Sequence, residues 1–316
     1  MARTPKYTPG YLFTGSLFPD LPVHPSIDRA ARNMAPAEPP LESVRREAKR
    51  RDDKIRFISF GSGSSGNSSY IGDSECGIII DAGVEGRVVE NVLRENGISI
   101  DKVKGILVTH DHGDHIRYLY NIVRYHPHIG VYCTPRTFNG IMRRHSVSRR
   151  LRDFHRPIYK EIMFQLGSFE ITAFDVSHDG SDNCGYFISR PASGRRFAIA
   201  TDLGCITPRV EYYLSQAQHI VLEANYDAGL LAVGPYPEHL KARIKAPSGH
   251  LDNAVTARFL ASIATPELSH VWLCHLSNDN NTPQIALDTV GAALRDFPDL
   301  SLAVLPRFDP SPLYLL

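Results

Sequence analysis

The apolar stretch Val103 to Val108 has strand character and runs straight into Thr109, His110, Asp111, His112, Gly113, Asp114 and His115. No other segment limits the fold as tightly. Four side chains of metal-ligand type, His110, His112, Asp114 and His115, fall within six positions where a buried strand ends. Imidazole and carboxylate together suit zinc, manganese or iron. A turn here can aim His110 and His112 at one ion and Asp114 and His115 at a second. Gly113 is expected to let the backbone fold tightly enough for the two pairs to converge.

One run cannot complete two metal sites, so further ligands should end other strands. Three residues do so: His178 after residues 169–176, Asp202 after residues 197–200, and His275 after residues 271–274. Asp202 is placed to bridge two ions roughly 3.5–4 Å apart, the spacing of two-metal hydrolases. Further strands are predicted at 55–60, near 70–71, at 77–83 (containing Asp81), and at 130–133, 186–189 and 220–223. Helical spacing occurs at 88–95, with Gly97 as a stop, and at 116–125, 254–263 and 283–297. Strands with interspersed helices and polar loops at strand ends predict a layered α/β domain, its site at one edge of the sheets.

Asp81, the run from His110 to His115, His178, Asp202 and His275 together resemble the five motifs of the metallo-β-lactamase superfamily. The resemblance covers residue 55 to the C-terminus and implies an α/β fold of four layers, an αββα sandwich. It also implies two divalent ions, one held by His110, His112 and His178 and the other by Asp114, His115 and His275. Asp202 would bridge them, and Asp81 would orient a ligand or the attacking water. Three further segments resemble the YycJ/WalJ group of bacterial DNA exonucleases. They are residues 62–68 (Ser-Gly-Ser-Ser-Gly-Asn-Ser), residues 223–227 with 236–241, and residues 248–251 with 275–281. The long N-terminal extension departs from that group. What the resemblance implies is 5′→3′ exonuclease activity on DNA.

The same segments make chemical sense from their residues. A Gly/Ser/Asn loop offers backbone N–H groups and the side chains of Ser64, Ser65 and Asn67 to phosphate, although its composition equally fits a plain hairpin. His250 can contact a phosphate oxygen or protonate a leaving group; its local context also reads as a helix start capped by Asp252 or Asn253. Asn225 and Tyr226 either shape the pocket or serve structure. Arg143, Arg144, Arg149, Arg150 and Arg152 concentrate positive charge in a chain whose net charge is only +1. Guanidinium groups pair well with phosphates, so this segment is read as a nucleic-acid surface, against the plainer reading of a solvated helix face. Lys241, Arg243 and Lys245 extend it.

Residues 1–54 differ from the rest. They are proline-rich, end in a charged stretch, and read as an extended N-terminal extension or an arm that packs on a partner subunit. The five cysteines are scattered without a C-x-x-C pair, as in a reducing compartment. With no export signal and no apolar run near the roughly 18–20 residues of a membrane span, a cytoplasmic location is expected. The expectation is a metal-dependent phosphodiesterase acting on nucleic acid, DNA before RNA, with assembly into a homo-oligomer left open. Its rivals are a hydrolase of a cyclic phosphodiester or thioester, and a binding protein with a structural metal.

Overall fold

A computed structural model describes residues 54–316. The predicted N-terminal extension, apart from Lys54, lies outside the described residues. Strands β1 (Arg56–Gly61), β2 (Ser68–Gly72), β3 (Gly77–Ile80), β4 (Val103–Leu107), β5 (Gly130–Cys133), β6 (His155–Pro157) and β14 (Tyr314–Leu315) form one sheet in the order β14-β1-β2-β3-β4-β5-β6. Strands β7 (Phe164–Leu166), β8 (Phe169–Asp175), β9 (Cys184–Arg190), β10 (Arg195–Ala200), β11 (His219–Glu223), β12 (His270–Cys274) and β13 (Ser301–Val304) form the other, in the order β13-β12-β11-β10-β9-β8-β7.

Each sheet is antiparallel on one side and parallel on the other. The parallel runs are β3-β4-β5-β6 and β10-β11-β12-β13. Parallel neighbours need crossover connections, and helices supply them. In the first half these are α1 (Gly86–Glu95), α2 (Gly113–Ile116), α3 (Leu119–Tyr125) and α4 (Pro135–Arg144). In the second half they are α5 (Pro208–Leu214), α6 (Ala228–Val233), α7 (Glu238–Lys245), α8 (Asn253–Ile263) and α9 (Pro283–Ala293).

Three apolar layers explain why the strands are buried on both faces. Phe57, Ile78, Leu107, Tyr186, Phe197, Ile199 and Trp272 pack between the sheets. The Trp272 ring lies 4.7 Å from Phe57, centroid to centroid, and truncating such a side chain costs roughly 3–5 kcal/mol. Val89, Leu93, Ile122, Val123 and Ile141 pack helices on the outer face of the first sheet. Val210, Leu214, Phe259, Leu260, Ala286 and Val290 do the same for the second. The architecture is the αββα sandwich that the sequence predicts.

The predicted helix 116–125 is interrupted. Tyr118 N–H donates to the carbonyl of Ala82 (2.9 Å) rather than continuing a helical ladder, so α2 and α3 meet at a corner against the Asp81–Gly83 turn. The hydrophobic pattern misses four helices of the described residues, α4, α5, α6 and α7, and the first two both open on Thr-Pro. Thr134 and Thr207 accept the N–H groups of Thr137 and Val210, and proline fills the first helical position. Asp252 caps α8, as expected for one of the two residues considered there.

Candidate metal centre

The parallel strands bring chemistry to one edge because they end there together. Asp81 follows β3, the run from Thr109 follows β4, Asp202 follows β10, Glu223 ends β11 and His275 follows β12. Asp81, Asp202 and His275 have left-handed backbones, with φ of 60°, 53° and 54°. Side chains other than glycine rarely take that conformation, and it collects where surrounding contacts force a residue into a functional position. Here each chain leaves its strand abruptly and turns its side chain into the site.

The donor atoms of His110, His112 and His178 lie within 4.8 Å of one another, and so do those of Asp114, His115 and His275. Asp202 sits between these triads. Its Oδ2 is 3.2 Å from His115 Nε2, and its Oδ1 is 3.3 Å from His275 Nδ1 and 3.9 Å from His178 Nε2. The sequence-predicted donors therefore lie together; among the described residues the two triads are two of four such groups, the others being His110, His115 and Asp202, and Asp202, Glu223, His250 and His275.

The imidazoles are oriented by partners on their other nitrogens. His115 Nδ1 is 2.8 Å from Asp81 Oδ2, while Thr109 donates its N–H and its hydroxyl to the same carboxylate, both at 2.8 Å. His178 Nδ1 faces the Gly249 carbonyl at 3.1 Å. His275 Nδ1 faces Glu223 Oε1 at 2.9 Å. Such contacts select a tautomer and leave the opposite nitrogen for an ion.

Two features show that this donor set fits a cation. Buried His110 Nε2 and His275 Nε2 have no hydrogen-bond partner, an expensive state for a polar atom unless it binds something. The field is also strongly negative. Burial disfavours the charged forms of His115 and His275, yet Asp202 and the neighbouring carboxylates outweigh it. They lift His115 well above the usual imidazole range and His275 to about 10. Burial likewise opposes charge on Asp202, but His275 and His115 hold its carboxyl well below the usual range. Burial and the surrounding imidazoles depress His110, keeping it in the neutral form that binds metal.

The turn that carries Asp114 and His115 is closed by a different glycine from the one expected. Gly113 begins α2 with ordinary backbone, and a Cβ there would meet nothing nearer than His145 Cε1 at 3.8 Å. The tight approach is at Gly83, where a Cβ would fall 1.6 Å from the Asp114 carbonyl oxygen and 2.5 Å from Asn67 N. Asp111 is not a ligand. It is fully buried and accepts the Ser181 N–H (2.8 Å) and hydroxyl (2.7 Å), tying the run to the loop after His178.

Sequence reasoning includes Glu223 in the segment 223–227 but gives it no role. It is fully buried at the end of β11, and its Oε1 lies 2.7 Å from His250 Nδ1 and 2.9 Å from His275 Nδ1. Its Oε2 accepts the N–H groups of Leu203 (2.9 Å) and Leu251 (3.3 Å). Burial raises its pKa, but His250 and His275 reverse this and hold it ionised. The signal was present: an acid ending an apolar strand is the criterion that found Asp202. Ser62 is a second omission, its hydroxyl accepting the His275 N–H at 2.9 Å.

The predicted phosphate contacts divide. Ser64 is exposed and lines a cavity beside His178 and His250. Ser65 is exposed in a separate cleft with Arg117 and Arg307. Asn67 is not free for phosphate. Its buried amide donates to Asp114 Oδ2 (3.1 Å) and the Gly63 carbonyl (3.0 Å) and accepts the Gly63 N–H (2.8 Å), so it braces a ligand. Arg143, Arg144, Arg149, Arg150 and Arg152 are exposed at the end of α4 and in the 3₁₀ turn Arg149–Asp153. Arg144 Nη1 reaches 3.5 Å from Asp111 Oδ2, and His145 Nε2 contacts the Asp111 carbonyl at 2.6 Å, so this basic segment adjoins the metal-binding turn.

Two seven-stranded sheets flanked by helices, with histidines and carboxylates along one edge, define a metallohydrolase-type site. A family model described as beta-lactamase superfamily domain matches residues 77–275. Exodeoxyribonuclease YycJ of Bacillus anthracis is 32% identical over 248 residues, covering 77% of this chain and 90% of the relative. Exodeoxyribonuclease WalJ of Streptococcus pneumoniae is 28% identical over 233 residues, covering 73% and 85%. The chain belongs to the metallo-β-lactamase superfamily, in the group that contains YycJ and WalJ. Among solved structures, the metallo-beta-lactamase fold protein YhfI from Bacillus subtilis superposes with a TM-score of 0.59 at 12% identity, covering 84% of this chain and all of that one. Zn(2+)-bound PqqB from Methylobacterium extorquens gives 0.58 at 14% identity, covering 81% and 99%. Among the described residues no helix is long and apolar enough to cross a membrane.

Proposed function

We propose that this protein is a metal-dependent exodeoxyribonuclease that degrades DNA in the 5′→3′ direction. The convergence of seven metal-ligand side chains from the strand ends of both sheets carries the reading. DNA as the substrate is supported by the alignment with a relative named exodeoxyribonuclease across 90% of that relative's length.

In this reading His110, His112 and His178 hold one divalent ion and Asp114, His115 and His275 the other, with Asp202 shared. The ions supply Lewis acidity toward a phosphoryl oxygen and lower the pKa of water. Asp81 keeps His115 in the binding tautomer through Nδ1. Glu223 holds the Nδ1 proton of His250, leaving His250 Nε2 to face the cavity and protonate the departing oxygen. The arginines at 143–152 hold the strand by its phosphates. The five free cysteines support a reducing, cytoplasmic setting.

The test is incubation of the metal-loaded protein with end-labelled single- and double-stranded DNA and RNA. Release of mononucleotides from the 5′ end of DNA, lost in Asp114→Ala and His112→Ala, is expected. Intact DNA under Mn²⁺, Zn²⁺ and Fe²⁺ would rule the reading out. Cleavage of RNA alone, or of a small cyclic phosphodiester or thioester alone, would reassign the substrate on the same metal centre.

A further inference from the structure

We infer that the cavity beside the metal centre seats the terminal nucleoside of the substrate strand, as a neutral sugar and base rather than as a phosphate. The inference rests on the nuclease reading and adds which part of the strand enters. The cavity measures about 350 Å³ and is walled by α7, the turn at Gly249–His250 and the loop at Ser277–Asp279. Sites for small molecules run from roughly 300 to 1,000 Å³, so this one holds a single nucleoside and no duplex. His178 and His250 form the wall toward the donors, so a nucleoside seated here places its own phosphodiester at the metal site.

The charges decide which part of the nucleotide fits. The guanidinium of Arg243 is already bound to Asp179, with Nε and Nη2 at 2.9 and 2.6 Å from one carboxylate oxygen. The Tyr236 hydroxyl donates to Asp279 at 2.6 Å. Beyond the two histidines the lining carries two carboxylates and one guanidinium, and that guanidinium is already taken by Asp179, so this part of the cavity holds no unpaired cation for a phosphate. Leu240 and Ile244, one turn apart on α7, join Tyr236 in an apolar cluster on which a base can lie. Ser64 and Asn278 offer exposed uncharged polar groups, while Asn225 lies buried in the wall with its amide donating to the His275 carbonyl (2.7 Å). A pocket that admits one end nucleoside makes cleavage start at a strand end and release one nucleotide at a time.

Two measurements on the metal-loaded full chain test this. The first is calorimetric binding of thymidine 3′-monophosphate against inorganic phosphate, which needs no turnover. The second is the ratio of kcat/KM for the dinucleotide thymidylyl-(3′→5′)-thymidine, whose 5′ nucleoside carries the scissile phosphate on its 3′ oxygen, to that for methyl p-nitrophenyl phosphate. Leu240→Trp, from α7, and Asn278→Trp, from the facing loop, each fill the cavity from a separate wall. The nucleotide is expected to bind at least about tenfold more tightly than phosphate, and both variants to lower that preference and the cleavage ratio about tenfold or more. Equal affinity for the two ligands, or ratios unchanged in two folded variants, would overturn the inference while leaving the nuclease reading intact. Absence of cleavage of any phosphodiester would instead defeat the nuclease reading. Nucleotide binding lost in the variants would then still support the pocket.

Discussion

Glu223 Oε1 lies 2.7 Å from His250 Nδ1 in a position where the carboxylate is fully buried and the imidazole borders the cavity. The same oxygen is 2.9 Å from His275 Nδ1, so under the proposed function one acid would position both a metal-binding histidine and the proton donor. A general acid contributes roughly 10²–10⁴-fold to such reactions. Glu223→Gln should lower kcat by about that factor with little change in KM, and His250→Asn should match it. Metal content measured alongside separates the two routes. Loss of metal in Glu223→Gln would show that it acts through His275 instead.

Asp81 touches His115 and Thr109 and no other donor of the cluster, so its effect should appear in metal affinity. Carboxylates that orient a ligating imidazole typically contribute 10–100-fold. Asp81→Asn keeps the size and tolerates the left-handed backbone at φ 60°. It should weaken metal binding by about that range in competition with a chelating dye. Unchanged affinity would remove Asp81 from the ligand-orienting role.

Stripping metal with a chelator should abolish activity and lower the melting temperature, because the five histidines and two aspartates of the proposed ligand set are buried or half-buried beside one another. Reloading should restore both at about two ions per chain by elemental analysis. A plateau at one ion would contradict the dinuclear proposal.

Replacing Arg143, Arg149, Arg150 and Arg152 with glutamine should weaken DNA binding and flatten its salt dependence. The log–log slope should fall by about 0.9 for each arginine that neutralises a phosphate. Cleavage of a small phosphodiester serves as the control. A salt slope equal to that of the parent protein would make the segment an ordinary solvated surface.

At the opposite ends of β11 and β12, His219 Nδ1 faces His270 Nδ1 at 3.2 Å. Burial, reinforced by His270 and Arg195, pushes His219 from 6.5 down to about 3. The folded protein therefore resists a proton that the unfolded chain accepts. Stability is unaffected above about pH 6.5 and declines as pH falls toward 3, by roughly 2–4 kcal/mol over that window. His219→Leu should show a flatter decline in denaturant unfolding across that range. A constant difference between the two proteins at every pH would refute the account.

The legible part of this fold came from local signals. Residues 103–115 announced a strand delivering ligands, and Asp202 and His275 could be found by asking what ends an apolar strand. The same question asked of residues 220–223 would have found Glu223. Thr-Pro at 134–135 and 207–208 marked helix starts that the hydrophobic pattern alone does not reveal. Asn67 and Gly113 were misjudged because their roles depend on what approaches from elsewhere in the chain. The Asn67 amide is taken up by Asp114, 47 positions away, and the glycine that the Asp114 carbonyl requires is Gly83, on another loop.

The sequence by itself determined the ligand types, the alternation of strand and helix, and the rule that chemistry sits at strand ends, since these depend on side-chain identity and short-range periodicity. Tertiary structure decided which imidazole nitrogen each carboxylate occupies, that Asp202 lies between the two triads, and that a nucleoside-sized cavity opens beside His250. Those depend on distances of a few ångströms between segments as far as 213 residues apart, such as the Ser62 hydroxyl on the His275 backbone. Such distances are set by how two sheets pack, and no local pattern encodes them.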